Sequence, residues 1–253
     1  MDLMINVAKS ETRWSEMVAT ALCENLNRRL AQQDMVSLVL TGGRTPRRVY
    51  ERLAMHDLQA ALDWNRVKIF VGDERTVRPD HPDSNYGMAN EAWLRSGAVP
   101  KANIFRMEAE DPDPDAAAQR YERVIREHVP TGAAGLPVFD LVLLGLGTDG
   151  HIASLFPGTQ ALEENQRLVV ATDVPELKTQ RLTMTYPAFN AAAEVWFLAI
   201  GQRKAESVAC VLGERSGGQL LPATRVGPSN GKQAWWLDES AAQMISRHEV
   251  RFR

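Results

Sequence analysis

Cysteine is scarce in this chain: Cys23 and Cys210 are the two present among 253 residues. They stand alone and match no metal-ligand spacing, so neither a disulfide framework nor a cysteine-held metal is expected. Two isolated thiols suit a reducing compartment, and a cytoplasmic protein is expected. No apolar run approaches the ~20 residues that a bilayer-spanning helix needs, so no membrane association is expected. The opening "MDLMINVAKSETRW" has no basic head leading into an apolar stretch, and no secretion signal is read there. Long basic runs are also missing, and the net charge is −3. A nucleic-acid partner is therefore not expected, although a small anion needs only a local cluster of cations.

Several catalytic signatures are missing as well. The five histidines, His56, His81, His128, His151 and His248, are scattered without an H-x-x-x-H pair. There is no G-x-S-x-G turn and no phosphate loop ending in Gly-Lys-Ser/Thr. A zinc hydrolase, a covalent serine hydrolase and a nucleotide hydrolase are thus disfavoured. No metal or other cofactor is expected, and nothing marks an obligate protein partner.

What remains is ordinary soluble composition, 44% hydrophobic and 24% charged. Trp14, Met17, Val18, Ala21, Leu22, Leu26 and Leu30 recur at helical spacing and predict an amphipathic helix over 12–33. Short apolar runs predict strands at "VSLVL" (36–40), "VKIFV" (67–71), "FDLVLL" (139–144), "RLVVAT", "RLTMT" and "VWFLAI". Between them Thr45 and Pro46 suggest an N-cap and first turn of a helix running to about His56. Ser84 suggests a cap for a helix through "NEAWL", and further helices are expected at about 115–128 and in "GQRKAESVACVLG". Strands alternating with helices predict an α/β fold with a mainly parallel sheet covered on both faces. The soft stretches 108–115 and "SGGQLLP" (216–222) do not separate two independently patterned halves, so residues 1–253 read as one domain.

Three loops follow directly on predicted strands: "TGGRTP", "GDER" and "LGLGTDGH". In a parallel sheet the carboxyl ends of strands share one edge, where ligands bind, so these distant segments are expected to meet. The last loop has Gly145, Gly147 and Gly150 at the G-x-G-x-x-G spacing of dinucleotide-binding proteins, with Asp173 further on. That reading needs a long helix after the glycines, yet only "HIASLF" separates Gly150 from Pro157. The alternative use of the glycines is a tight turn presenting Asp149 and His151, the latter suited to proton transfer near neutral pH. Gly42, Gly43 and Arg44 offer backbone N–H groups at a helix start, with the Thr45 hydroxyl beside them, as an anion cradle. Arg75, Arg181 and Lys204 are the candidate cations for a phosphate. Asp73 and Glu74 either position Arg75 or join in proton transfer, and composition does not choose between these.

The segment "LGLGTDGHIASLFPG" resembles the signature of the 6-phosphogluconolactonases. The likeness continues through "LTGGRTP", "VGDERTVRPDHPDSNYGMANEAWL", "RLTMTYPAFNAA", "GQRKAE" and "LPATRV". It implies a three-layer α/β/α architecture shared with glucosamine-6-phosphate deaminases and ribose-5-phosphate isomerases. It also implies hydrolysis of a sugar-phosphate lactone, with His151 and Asp149 as the catalytic pair. Gly42, Gly43, Arg44, Thr45, Asp73, Arg75, Arg181 and Lys204 would then bind substrate. The deaminase relatives are the runner-up, but they have Glu where this chain has Phe156 and Tyr where it has Arg75. A catalytically silent sugar-phosphate binder is the third reading. The phosphate turn departs from the usual Ser-Gly-Gly-Ser-Thr-Pro at Thr41 and Arg44, which leaves the role of Arg44 open.

Overall fold

The computed structural model describes residues 2–213, 221–228, 231–246 and 250–252. His248 and residues 216–220 of the predicted soft stretch lie outside them. Eight strands form one sheet: β1 (Asp2–Ala8), β2 (Val36–Leu40), β3 (Val67–Val71), β5 (Ile104–Phe105), β6 (Leu141–Gly145), β9 (Glu194–Ala199), β10 (Lys232–Asp238) and β11 (Val250–Phe252). Their order is β11-β1-β10-β9-β6-β2-β3-β5, and every ladder is parallel. A second sheet, β4 (Asp73–Arg75), β8 (Thr179–Met184) and β7 (Val169–Val174), is antiparallel in the order β4-β8-β7.

Helices cover both faces of the large sheet. On one face lies α1 (Glu11–Leu30), whose Ser10 hydroxyl accepts the Arg13 N–H at 3.2 Å as an N-cap. Its buried Trp14, Val18, Leu22, Leu26 and Leu30 recur every fourth residue and form the stripe that packs on the sheet. Beside it lie α2 (Arg44–Leu53), α3 (His56–Ala60) and α4 (Asn85–Ala92). On the other face lie α5 (Pro114–His128), α6 (Tyr186–Ala191) and α7 (Ala205–Val211). The strands divide their side chains between two apolar clusters, as β2 shows: Leu38 and Leu40 face α1, whereas Val39 faces the opposite cluster. This is the expected three-layer α/β/α arrangement around a parallel sheet.

Four details differ from the sequence reading. The helix after β2 begins at Arg44, with Gly43 at φ +104° as its N-cap, so Thr45 and Pro46 already lie inside the first turn. That helix stops at Leu53, and α3 restarts at His56. "RLVVAT" and "RLTMT" belong to the small antiparallel sheet, and "GDER" itself supplies a strand to it. "GQRKAESVACVLG" opens with a 3-10 turn at Gln202–Lys204 before α7 and ends at Gly213, φ +80°. Among the described residues no helix is long and apolar enough to cross a membrane.

The connections run outward from the centre of the sheet. From β2 the chain proceeds to β3 and β5 on one side, and from β6 to β9 and β10 on the other. The neighbouring strands β2 and β6 thus flank a topological switch point, the crevice where open α/β sheets bind ligands.

Candidate active site

The loop after β2 and the loop after β6 meet at this crevice. Gly145 N–H donates to the Thr41 hydroxyl at 3.3 Å, and Thr41 is held in turn by the Tyr50 phenol, which donates to its carbonyl at 2.8 Å. The cavity between them has a volume of about 260 Å³. Gly42, Gly43, Arg44 and Thr45 line one side, Asp73, Arg75 and Asn85 another, and Gly147, His151 and Lys204 a third. Eight of the ten residues singled out from sequence thus line one cavity, and Asp149 joins them through His151. Arg181 is not in the cavity wall; it sits across the β4–β8 ladder from Arg75.

His151 and Asp149 form a dyad. The imidazole Nδ1 lies 2.6 Å from Asp149 Oδ1, which also accepts the His151 backbone N–H at 3.2 Å. An ionised carboxylate fixes the tautomer with Nδ1–H as donor, leaving the Nε2 lone pair as the basic site. Burial pushes the Asp149 carboxyl up, but its hydrogen bonds from His151 and the nearby imidazole hold it below its ordinary value overall. The dyad depends on a glycine: a Cβ on Gly147 would overlap His151 Nδ1 and Asp149 Oδ1. Gly150, at φ +75°, takes the left-handed turn between the two side chains. No helix follows Gly150 before the 3-10 turn at Gln160–Glu163, so the glycines do not present a helix N-terminus to a dinucleotide.

The cations are short of partners. Burial pushes the Lys204 ammonium down, with Asp149 nearby opposing the shift. Burial and then the charge of Arg75 push the Arg181 guanidinium down, against Asp73, Asp83 and Glu74. Arg75 Nη1 donates to the Asp83 carbonyl at 2.6 Å, while the Nε atoms of Arg75 and Arg181 are buried without a hydrogen-bond partner. Neither Arg44 nor Lys204 makes a side-chain ion pair with another described residue. Arg44, Arg75 and Lys204 thus bring positive charge to the cavity wall, which favours an anionic ligand.

Beneath the wall, the strand-end acids hold structure together. Asp73 Oδ2 accepts the Ser154 hydroxyl at 2.7 Å, joining β4 to the loop after β6. Glu74 accepts the backbone N–H groups of Arg75, Asn85 and Tyr86 at 2.7–2.8 Å and the Ser84 hydroxyl at 3.0 Å. Burial pushes the Glu74 carboxyl up, against these donors. It therefore anchors the start of α4, where Ser84 is the N-cap as expected. Asn85 and Ser154 escaped the sequence reading. Asn85 packs on Gly42, which lacks the Cβ that would strike the Asn85 amide, a contact between distant residues that leaves no mark in the sequence. That amide donates to the Asp73 carbonyl at 2.8 Å. Among the described residues no group of three or more His, Cys, Asp or Glu side chains converges as a metal site.

The sequence profile of the glucosamine-6-phosphate isomerases/6-phosphogluconolactonase family matches residues 9–235. A 6-phosphogluconolactonase of Synechocystis sp. is 38% identical over 230 residues, covering 91% of this chain and 93% of its own. The solved 6-phosphogluconolactonase of Trypanosoma brucei superposes with a TM-score of 0.85 at 31% identity, covering 97% of this chain and 99% of its own. A monomeric glucosamine-6-phosphate deaminase, at 20% identity and a TM-score of 0.77, covers 97% of this chain and all of its own, and shares the fold. With most of its length matched by the profile and by both lactonases, the chain belongs to the glucosamine-6-phosphate isomerase/6-phosphogluconolactonase family.

Proposed function

We propose that this chain hydrolyses 6-phosphoglucono-1,5-lactone to 6-phosphogluconate, the lactone step of the oxidative pentose phosphate pathway. The observation that carries the reading is the His151–Asp149 dyad facing the same cavity as the glycine turn and its cations. A lactone is an activated ester, so attack by water needs a base and a site for the developing oxyanion rather than a covalent nucleophile. Neutral His151 accepts a proton at Nε2 as a water oxygen bonds to C1. The tetrahedral intermediate collapses by breaking the bond from C1 to the ring oxygen. The imidazolium returns its proton to that departing oxygen, so one water is consumed and the base is regenerated. Asp149 keeps the tautomer and stabilises the imidazolium.

The phosphate lies against the N–H groups of Gly42, Gly43 and Arg44 and the Thr45 hydroxyl, with Arg44, Arg75 and Lys204 supplying charge at the wall and Arg181 adding its charge from across the β4–β8 ladder. Asp73 accepts sugar hydroxyls in the same cavity. Anchoring the phosphate fixes C1 against the water and turns binding energy into orientation. Residues 1–253 act as one domain, and the free Cys23 and Cys210 suit a cytoplasmic setting.

The test generates the lactone from glucose 6-phosphate and follows 6-phosphogluconate with excess coupling dehydrogenase, beside an enzyme-free blank. Wild type should run well above the blank, and His151→Ala should lower kcat by about 10²–10⁴. Wild type at the blank rate overturns the lactonase reading; ammonia release from glucosamine 6-phosphate would then be measured. A loss below tenfold in the variant overturns the base.

A further inference from the structure

Asp149 and Gly147 restrain the His151 ring at one edge, but a third contact acts on its face. The Phe156 ring stacks on the imidazole with centroids 4.0 Å apart and planes inclined by 28°. A hydrogen bond at Nδ1 fixes one atom of the ring and leaves the plane free to tilt about it. A flat aromatic surface at van der Waals distance removes that freedom. With Nδ1 on Asp149, the edge against Gly147 and one face on Phe156, the remaining Nε2 is the atom left for a ligand in the cavity.

The chain between the two rings is built to bring them together. Residues 152–155 fold into a tight turn, in which Leu155 N–H donates to the Ile152 carbonyl at 2.8 Å. Ala153 holds that turn at φ +46°, a left-handed conformation that non-glycine residues rarely adopt. Next to it the fully buried Ser154 donates to Asp73 at 2.7 Å, while its own N–H meets the Thr183 hydroxyl at 3.2 Å. The Phe156 carbonyl is tied down by the Thr159 hydroxyl at 2.8 Å. Buried groups on both sides of the turn thus carry Phe156 back over a side chain earlier in the same loop.

We propose that Phe156 is a positioning residue for the His151 base: its ring holds the imidazole plane so that Nε2 stays aligned with the attacking water. The proposal rests on the lactonase reading given above. Misplacing a base by about 1 Å can cost on the order of 10²-fold in rate without touching substrate affinity. Because Phe156 acts through His151, its removal falls on kcat rather than on KM.

The experiment compares Phe156→Leu, which keeps bulk but loses the flat ring, with Phe156→Tyr, which retains it. Phe156→Leu should lower kcat about tenfold with KM within twofold, and Phe156→Tyr should stay within about threefold of wild type. Melting temperatures and the ring-current shift of the His151 ring protons by NMR accompany the kinetics. That shift should be present in wild type and Phe156→Tyr and lost in Phe156→Leu, whereas a purely structural role moves stability and leaves the kcat split absent. An active wild type with Phe156→Leu unchanged, or with both variants equally impaired, overturns the positioning role alone. A wild type that does not hydrolyse the lactone overturns the lactonase reading and this role with it.

Discussion

Gly147 shows how a single missing side chain makes the proposed catalytic pair possible. It has an ordinary backbone, unlike Gly150, so its importance is steric: the space a Cβ would take is filled by His151 Nδ1 and Asp149 Oδ1. Gly147→Ala should therefore separate the dyad while leaving the strand before it intact. The expected result is a fall in kcat of at least tenfold with a change in melting temperature of only a few degrees. Unchanged turnover would show that the dyad tolerates displacement. Asp149 has a second, pH-dependent signature. Its folded-state value is depressed by His151, so the stability it adds is complete above its unfolded value of about 3.9 and is lost as pH falls through the folded one. The melting-temperature gap between wild type and Asp149→Asn should then be present at pH 7 and shrink toward zero in strongly acidic buffer. A gap that grows on acidification would contradict that sign.

At the level of elements, the site is assembled by helix starts and strand ends that are far apart in sequence. Glu74 is the joint between β4 and α4, accepting three backbone N–H groups and one hydroxyl with its two oxygens. Glu74→Gln would turn an NH₂ toward two of those donors. Leaving such groups unsatisfied costs about 1–3 kcal/mol, so the melting temperature should drop and amide exchange at the start of α4 should quicken. No change in either would mean that α4 is held by its packing alone. The same elements explain what could be read beforehand. β2, β3, β6 and β9 were legible because they are buried on both faces and so are largely apolar, with Ser37, Lys68 and Glu194 the exceptions. β4 was not, because "DER" is polar and becomes a strand only through a ladder to β8 more than a hundred residues later. β1 and β10 were missed for a related reason: they pair with each other across almost the whole chain. The glycine turns and the histidine loop could be found because close backbone approach constrains residue type. Asn85 and Ser154 could not, since each works through a buried contact with a distant partner.

Over the whole molecule, ligand and core are coupled through the sheet. The proposed site touches the ends of β2, β6 and β9 and the start of α2, while α1 packs on the face of the same sheet against β1, β10 and β2. Cys23 lies in the buried stripe of α1, and burial pushes its thiol up to about 12, so the native chain presents almost no thiolate to an alkylating reagent. Labelling of Cys23 therefore reports opening of that layer, with half-buried Cys210 as an internal reference. Because α1 bridges strands from both halves of the sheet, it has no partial set of contacts to release alone, and the opening should be global. A ligand that binds only the folded chain, present at 100 times its dissociation constant, adds about 2.7 kcal/mol, or about a hundredfold in the opening equilibrium. Saturating 6-phosphogluconate should accordingly slow Cys23 labelling at pH 8 by about that factor. Slowing at Cys210 alone would mean that α1 detaches locally while the strand ends around the ligand stay in place.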